Sequence, residues 1–239
     1  MVDRGLAPSL ERALALILSG AVLVGEQRID KAGQPVDPQA AVRIKGKSES
    51  HPYVSRGGLK LKGALDKLAI PVRGLVALDV GASTGGFTDC LLQEGAEKVY
   101  ALDVGYGQLA WRLRQDPRVV VIERTNIRHV EHNDIISDPI DLATIDASFI
   151  SLKRVIPSVM GLLSEHGAIL ALVKPQFEAE KGLVGKDGVV TDPELHLSIT
   201  QDIIHFCREE GLTVFGDCES PLLGPAGNRE FFVYAGRRP

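Results

Sequence analysis

From Val76 onward the hydrophobic positions fall into short, nearly unbroken runs separated by longer amphipathic stretches. Val76-Ala77-Leu78, Val99-Tyr100-Ala101-Leu102, Val119-Val120-Val121-Ile122, Leu142-Ala143-Thr144-Ile145 and Ala168-Ile169-Leu170-Ala171-Leu172-Val173 come first, and Thr213-Val214-Phe215 and Phe231-Phe232-Val233-Tyr234 follow. Unbroken apolar strands are buried on both faces, and helical stretches between the first five runs predict a parallel sheet covered on both sides. No long helical stretch separates the last two runs, which leaves one of them free to run antiparallel. The pattern predicts an α/β, doubly wound, seven-stranded Rossmann-like sheet.

Upstream the period changes. Pro8-Ser9 reads as a capped helix start, Leu10, Leu14, Ile17 and Leu18 fall at helical spacing, and Gly20 reads as the stop. Ala21 to Val24, the polar Gly25-Glu26-Gln27 and the returning Ile29 predict a tight hairpin, and Ala41-Val42-Arg43-Ile44 a further strand ending near Lys45 and Lys47. The domain organisation expected is a small module over 1–47, a polar linker over 48–54 and the large domain over 55–239. Ala13 to Val24 imitates the apolar core of an export signal, but it falls short of the roughly 20 residues that cross a membrane. Asp3 and Glu11 also spoil the basic leader such a signal carries, so no membrane partner and a cytoplasmic location are expected.

Charge sharpens the division. The net charge of −4 hides a surplus of four positive charges over residues 1–63 and of eight negative charges beyond them. Such asymmetry points the N-terminal part toward a polyanion. The three cysteines, Cys90, Cys207 and Cys218, form no Cys-x-x-Cys pair, so neither a disulfide framework nor a metal site is expected.

The turn after the first long-domain strand reads Asp79-Val80-Gly81-Ala82-Ser83-Thr84-Gly85-Gly86-Phe87. Ligands of open α/β sheets bind at the carboxyl ends of the strands, where glycine lets backbone approach a ligand closely. Ser83 replaces the second glycine of a dinucleotide fingerprint, which favours a ligand without phosphates. Asp103 closes the second strand, where a carboxylate can accept both hydroxyls of an adenosine ribose, and Asn126 lies past the third strand at the depth of an adenine. S-adenosylmethionine has the adenosine, lacks phosphate and carries a sulfonium cation. The bland alternative is a structural turn flanked by helix-capping residues.

Further charges stand at other strand ends. Asp146 follows Ile145, Lys174 follows Val173, Glu230 precedes Phe231, and Arg56 and Lys60 sit four apart before the first strand. Each alone reads as an ordinary charge. Together, two lysines and two carboxylates make a cluster able to desolvate an amine and tune it for base chemistry. Phe149, Phe177 and Phe231 are candidates for stacking a single-stranded base, with core packing as the competing role.

Several of these words, in order, resemble the TlyA family, also labelled haemolysin A: Ser55-Arg56-Gly57-Gly58-Leu59-Lys60, the turn Asp79 to Phe87, Asp103-Val104-Gly105-Tyr106-Gly107, Glu123 to Arg128, and Val173-Lys174-Pro175-Gln176-Phe177-Glu178. That family is similar to FtsJ-type ribose methyltransferases joined to an alpha-L RNA-binding motif. The resemblance implies a methyltransferase sheet of strand order 3-2-1-4-5-7-6 and transfer from S-adenosylmethionine to a ribose 2′-hydroxyl of ribosomal RNA, with cytidine as the nucleotide and ribosomal subunits as partners. It implies a tetrad of Lys60, Asp146, Lys174 and Glu230. The cofactor pocket it implies is formed by Asp79, Gly81, Ser83, Thr84, Gly85, Gly86, Phe87, Asp103 and Asn126. Arg12, Arg28, Lys31 and Arg56 become the candidate RNA contacts. The alpha-L motif departs from its usual form: no leading Arg-Leu-Asp helix is present, Leu10 stands where arginine is common, and Gly25-Glu26 replaces Asn-Gly. A partial module is therefore expected. A membrane-damaging protein, a catalytically silent RNA-binding or assembly factor, and a nicotinamide-dependent dehydrogenase are the rival readings.

Overall fold

The computed structural model describes the chain except for residues 3, 5, 8, 19, 26, 38–39, 41, 45–51, 131–134, 186, 225 and 238–239, and the side chains at 12, 27, 28, 43 and 181. Pro8, Glu26, Lys45, Lys47, most of the expected linker and the Arg12 and Arg28 side chains thus lie outside the described residues. The chain divides into two compact units, Met1–Pro52 and Tyr53–Pro239.

In the first unit α1 (Leu10–Leu18) precedes β1 (Val22–Val24), β2 (Gln27–Ile29) and β3 (Val42–Ile44), which form an antiparallel sheet in the order β2-β1-β3. The signal-like apolar run is split by Gly20, whose φ of 65° and N–H bond to the Ile17 carbonyl end the helix before β1 begins. The period of α1 is helical, but its core-facing position is Ala13, while Leu10 and Leu18 are 70% and 69% exposed. The unit boundary also changes the charge reading. Met1–Pro52 carries seven Lys and Arg against six Asp and Glu, because Arg56, Lys60 and Lys62 belong to the second unit.

The second unit is built on β4 (Val76–Val80), β5 (Lys98–Leu102), β6 (Val119–Ile122), β7 (Ile140–Ile145), β8 (Leu163–Val173), β9 (Thr213–Glu219) and β10 (Phe231–Gly236). Their order is β6-β5-β4-β7-β8-β10-β9. Counted within the unit this is 3-2-1-4-5-7-6, as expected. The first five strands pair in parallel, and β10 runs antiparallel to both β8 and β9. Helices α2 (Gly57–Lys67), α3 (Gly86–Gln93), α4 (Trp111–Arg114), α5 (Ile156–Met160), α6 (Pro175–Glu178) and α7 (Pro193–Glu209) complete the unit.

Strand residues alternate between two cores. Leu78, Val80, Tyr100 and Ile145 pack in one with Ile156 and Ile203; Ala77, Val99, Leu142 and Phe232 pack in the other with Leu61 and Leu91. β8 starts five residues before the apolar run does. Its lead-in pairs through buried Leu163 with the first residue of β7, but exposed Glu165 and His166 interrupt the apolar pattern there. Tyr53 and Val54 are packed into this unit: Tyr53 is buried against the Cα of Gly58, and the Val54 N–H donates to Asp89 at 2.7 Å. No described helix is long and apolar enough to cross a membrane.

Candidate active site

Sheet register decides which strand-end residues become neighbours. Val80 pairs with Ile145 and with Leu102, so the residues that follow these strands, Gly81, Asp146 and Asp103, emerge side by side. Phe231 pairs with Val173. Because β10 is antiparallel, the residue before it, Glu230, meets the residue after β8, Lys174, at the same edge.

At that edge a first hollow of about 320 Å³ is lined by Ser55, Arg56, Lys60, Gly81, Ser83, Thr84, Gly86, Phe87, Asp146, Ser148, Lys174 and Glu230, among others. A second, of about 470 Å³, is lined by Asp103, Gln108, Asn126 and an apolar wall that includes Leu102, Ile127, Ile150 and Val155. Both volumes fall in the range of small-molecule sites. Gly81, Ser83, Asp146 and Ser148 line both hollows, which therefore adjoin.

The four charged residues form two ion pairs. Lys60 Nζ donates to Glu230 Oε2 at 2.5 Å, and both side chains are buried, at 7% and 0% exposure. Lys174 Nζ lies 2.5 Å from Asp146 Oδ1, but off any hydrogen-bonding direction; its aligned hydrogen bond goes to Ser148 Oγ at 2.9 Å. Among the described residues, buried Glu230 Oε1 has no hydrogen-bond partner. Gly224 makes room for it, since a Cβ there would stand 2.4 Å from that oxygen.

The glycine turn owes its shape to backbone that other residues resist. Gly81 has φ of 88°, and a Cβ on it would meet the Asp146 carbonyl oxygen at 2.5 Å. Ser83 takes φ of 48°, and its N–H donates to Asp103 Oδ2 at 2.8 Å, while Gly105 N–H donates to Oδ1 at 2.6 Å. Asp103 is thus held by backbone on both oxygens at the mouth of the second hollow. Asn126 caps a short 3-10 turn by accepting from Arg128 N–H at 3.1 Å, so it forms the turn and lines the hollow together.

Two of the expected pocket residues line neither hollow. Gly85 faces Leu109 and Leu113, where a Cβ would clash at 2.8 and 2.3 Å. Asp79 is wholly buried behind the turn, accepting from Thr88 N–H at 2.9 Å, Thr88 Oγ1 at 2.7 Å and Thr144 Oγ1 at 3.3 Å. It ties the start of α3 to β4 and β7. Burial pushes its carboxyl up to about 7 against the opposing pull of these hydrogen bonds, and the nearby Asp146 adds to the rise. Arg56 is exposed at the start of α2 and lines the first hollow; Lys31 is exposed on the first unit. Phe149 is 90% exposed with φ of 63°, its ring centroid 4.9 Å from that of Phe177, whereas Phe231 packs beside His196. Sequence reasoning passed over Ser148 and Gln108. Only a polar residue shortly after a strand end marked either.

Known proteins supply the remaining comparison. Residues 53–237 match the FtsJ-like methyltransferase family. The chain belongs to that family. A 16S/23S rRNA (cytidine-2′-O)-methyltransferase TlyA from Mycobacterium tuberculosis is 47% identical, over 98% of this chain and 87% of its own. Hemolysin A of Brachyspira hyodysenteriae is 37% identical, over 97% of this chain and 95% of its own. A solved structure from Streptococcus thermophilus, provisionally described as a hemolysin, is 40% identical, with a TM-score of 0.77 over 98% of this chain and 85% of its own. The chain is therefore an FtsJ-like methyltransferase similar to the TlyA and hemolysin A proteins, on a methyltransferase sheet.

Proposed function

We propose that this protein transfers a methyl group from S-adenosylmethionine to the ribose 2′-hydroxyl of a cytidine in ribosomal RNA. The observation that carries the reading is the meeting of Lys60, Asp146, Lys174 and Glu230, remote in sequence, in one hollow beside the glycine turn. The TlyA relative from Mycobacterium tuberculosis, named for the same reaction, supports the choice of ribosomal RNA and cytidine.

The residues present fit the donor. Gly81 leaves a cradle that any Cβ would fill, the apolar wall of the second hollow suits an adenine, and Asp103 offers acceptors for ribose hydroxyls. Gly81, Ser83, Thr84, Gly86, Phe87, Asp103 and Asn126 would hold it directly, with Asp79 and Gly85 shaping the turn from behind. When bound, S-adenosylmethionine supplies an electrophilic methyl on a cationic sulfur.

The chain's own part is positioning and proton handling. Asp146 holds the Lys174 amine at the site by charge and sets a negative charge where a cation approaches. Lys174 Nζ holds the acceptor hydroxyl and takes its proton, or steers it by hydrogen bonding while the proton leaves to water. Lys60, fixed by Glu230, holds the ribose. Much of the rate comes from keeping donor and acceptor in near-attack geometry, since the methyl group arrives activated. The first unit and Arg56 serve RNA binding, with Arg12, Arg28 and Lys31 as contacts and an alpha-L type module over 1–47. A ribosomal substrate places the work in the cytoplasm.

The test incubates the protein with ribosomal subunits and labelled S-adenosylmethionine, then maps nucleotides that resist alkaline cleavage, which needs a free 2′-hydroxyl. Wild-type protein is expected to protect a cytidine, and Lys174→Ala to lose transfer while keeping affinity for S-adenosylhomocysteine. Label on a base, or full turnover by Lys174→Ala, defeats the reading.

A further inference from the structure

Lys174 has two anchors, and only one of them is directional. Asp146 Oδ1 stands 2.5 Å from Nζ without hydrogen-bond alignment, so the carboxylate holds charge near the amine but does not fix how its N–H groups point. Ser148 Oγ accepts from the same Nζ at 2.9 Å in good geometry. An ammonium at the end of a four-carbon stem rotates freely unless such a directional partner stops it.

The place of Ser148 matters as much as its contact. It lies two residues past Asp146 and is one of the four residues lining both hollows. The chain then turns sharply at Phe149, which the left-handed φ of 63° makes possible, and Phe149 leans on Phe177. Lys174 Nζ lies 5.8 Å from the Phe177 ring centroid. The amine is thus flanked by a carboxylate, a hydroxyl and an aromatic face, and among the described residues the hydroxyl is the one that gives it a direction.

We propose that Ser148 is a positioning residue for methyl transfer, its Oγ setting the direction in which Lys174 Nζ meets the acceptor hydroxyl where the two hollows join. The role rests on the reading of this hollow as a ribose 2′-hydroxyl methylation site. Ser148 is exposed, so removing Oγ leaves both cores intact and the variant is expected to fold.

The experiment compares wild type, Ser148→Ala and Ser148→Thr on the same ribosomal subunits with labelled S-adenosylmethionine, and measures S-adenosylhomocysteine affinity by calorimetry. A misaimed reacting group costs on the order of 10- to 100-fold in rate, so kcat of Ser148→Ala is expected to fall by that much. KM for both substrates and S-adenosylhomocysteine affinity should stay within about twofold of wild type, because a purely positioning hydroxyl acts on the chemical step and not on binding. Ser148→Thr, which restores the hydroxyl, should recover most of the loss. Unchanged kcat in Ser148→Ala, a loss carried by KM or donor affinity, or a threonine variant as poor as alanine overturns the role. Wild-type protein that binds S-adenosylhomocysteine but methylates no ribosomal particle overturns the function beneath it as well, so the two failures are distinct.

Discussion

Asp79 is the residue whose sequence position says least about its work. Its place at the end of β4 reads as a ligand contact, yet the carboxyl lies behind the turn with Thr88 and Thr144 as partners. Only packing decides this, since β4 is flanked on both sides and its end is buried before the turn opens. A consequence for stability follows from the rise of its carboxyl from the usual 3.8 to about 7. Between those values the folded chain holds a proton that the unfolded chain has released, so the contribution of Asp79 to stability falls as pH rises from about 4 to about 7 and is level above. Asp79→Asn keeps the shape and does not ionise. Urea unfolding at a series of pH values is expected to find the variant gaining on wild type across that window. A constant difference between the two would mean that Asp79 does not titrate there. Gly81 was readable earlier, because a positive φ at a strand end leaves a compositional trace in glycine; Ser83, also at positive φ, leaves no such trace and was read only as the residue replacing a fingerprint glycine.

At the scale of elements, β10 carries the most consequence per residue. It runs against its neighbours in the seven-stranded sheet, and its direction is the reason an acid that precedes its strand joins a lysine that follows another. Phe232 lies wholly buried in β10, its ring centroid 6.1 Å from that of Phe87 at the start of α3. Phe232→Ala is expected to cost roughly 3–5 kcal/mol. Glu230 hangs from the same strand, so kcat should fall more than S-adenosylhomocysteine affinity does; equal losses in both would detach the acid from the strand's packing. The seven runs were legible because strands buried on two faces are apolar throughout. The lead-in of β8 was not, since its pairing is made by backbone while Glu165 and His166 face solvent. In α1 the helical period was legible but not the face: Ala13 packs inward and the larger Leu10 and Leu18 do not.

The whole molecule divides at Pro52, and the division bears on how it meets RNA. Charge summed to residue 63 made the N-terminal part look strongly basic, but three of those cations belong to the second unit, and Lys60 is spent inside it on Glu230. On the proposed reading, RNA affinity would be shared between the units, through Arg56 in the second and the cations of the first. Two linked modest contacts gain on the order of 100-fold over either alone. A protein comprising only Tyr53–Pro239 is expected to keep its S-adenosylhomocysteine affinity and lose affinity for ribosomal subunits by about that factor. Filter binding at fixed salt reads the difference. Undiminished affinity would put recognition wholly on the catalytic unit.

Local rules determine much of this protein. Apolar runs specify strands, a glycine turn after the first of them specifies a ligand edge, and charges closing buried strands mark groups that must be paired or used. Tertiary structure decided the partnerships. Which strands adjoin, and in which direction, depends on contacts between residues up to 170 positions apart, as for Lys60 and Glu230. No local pattern encodes such a distance, and so the Ser148 hydroxyl beside Lys174 became visible only once β7 and β8 lay side by side.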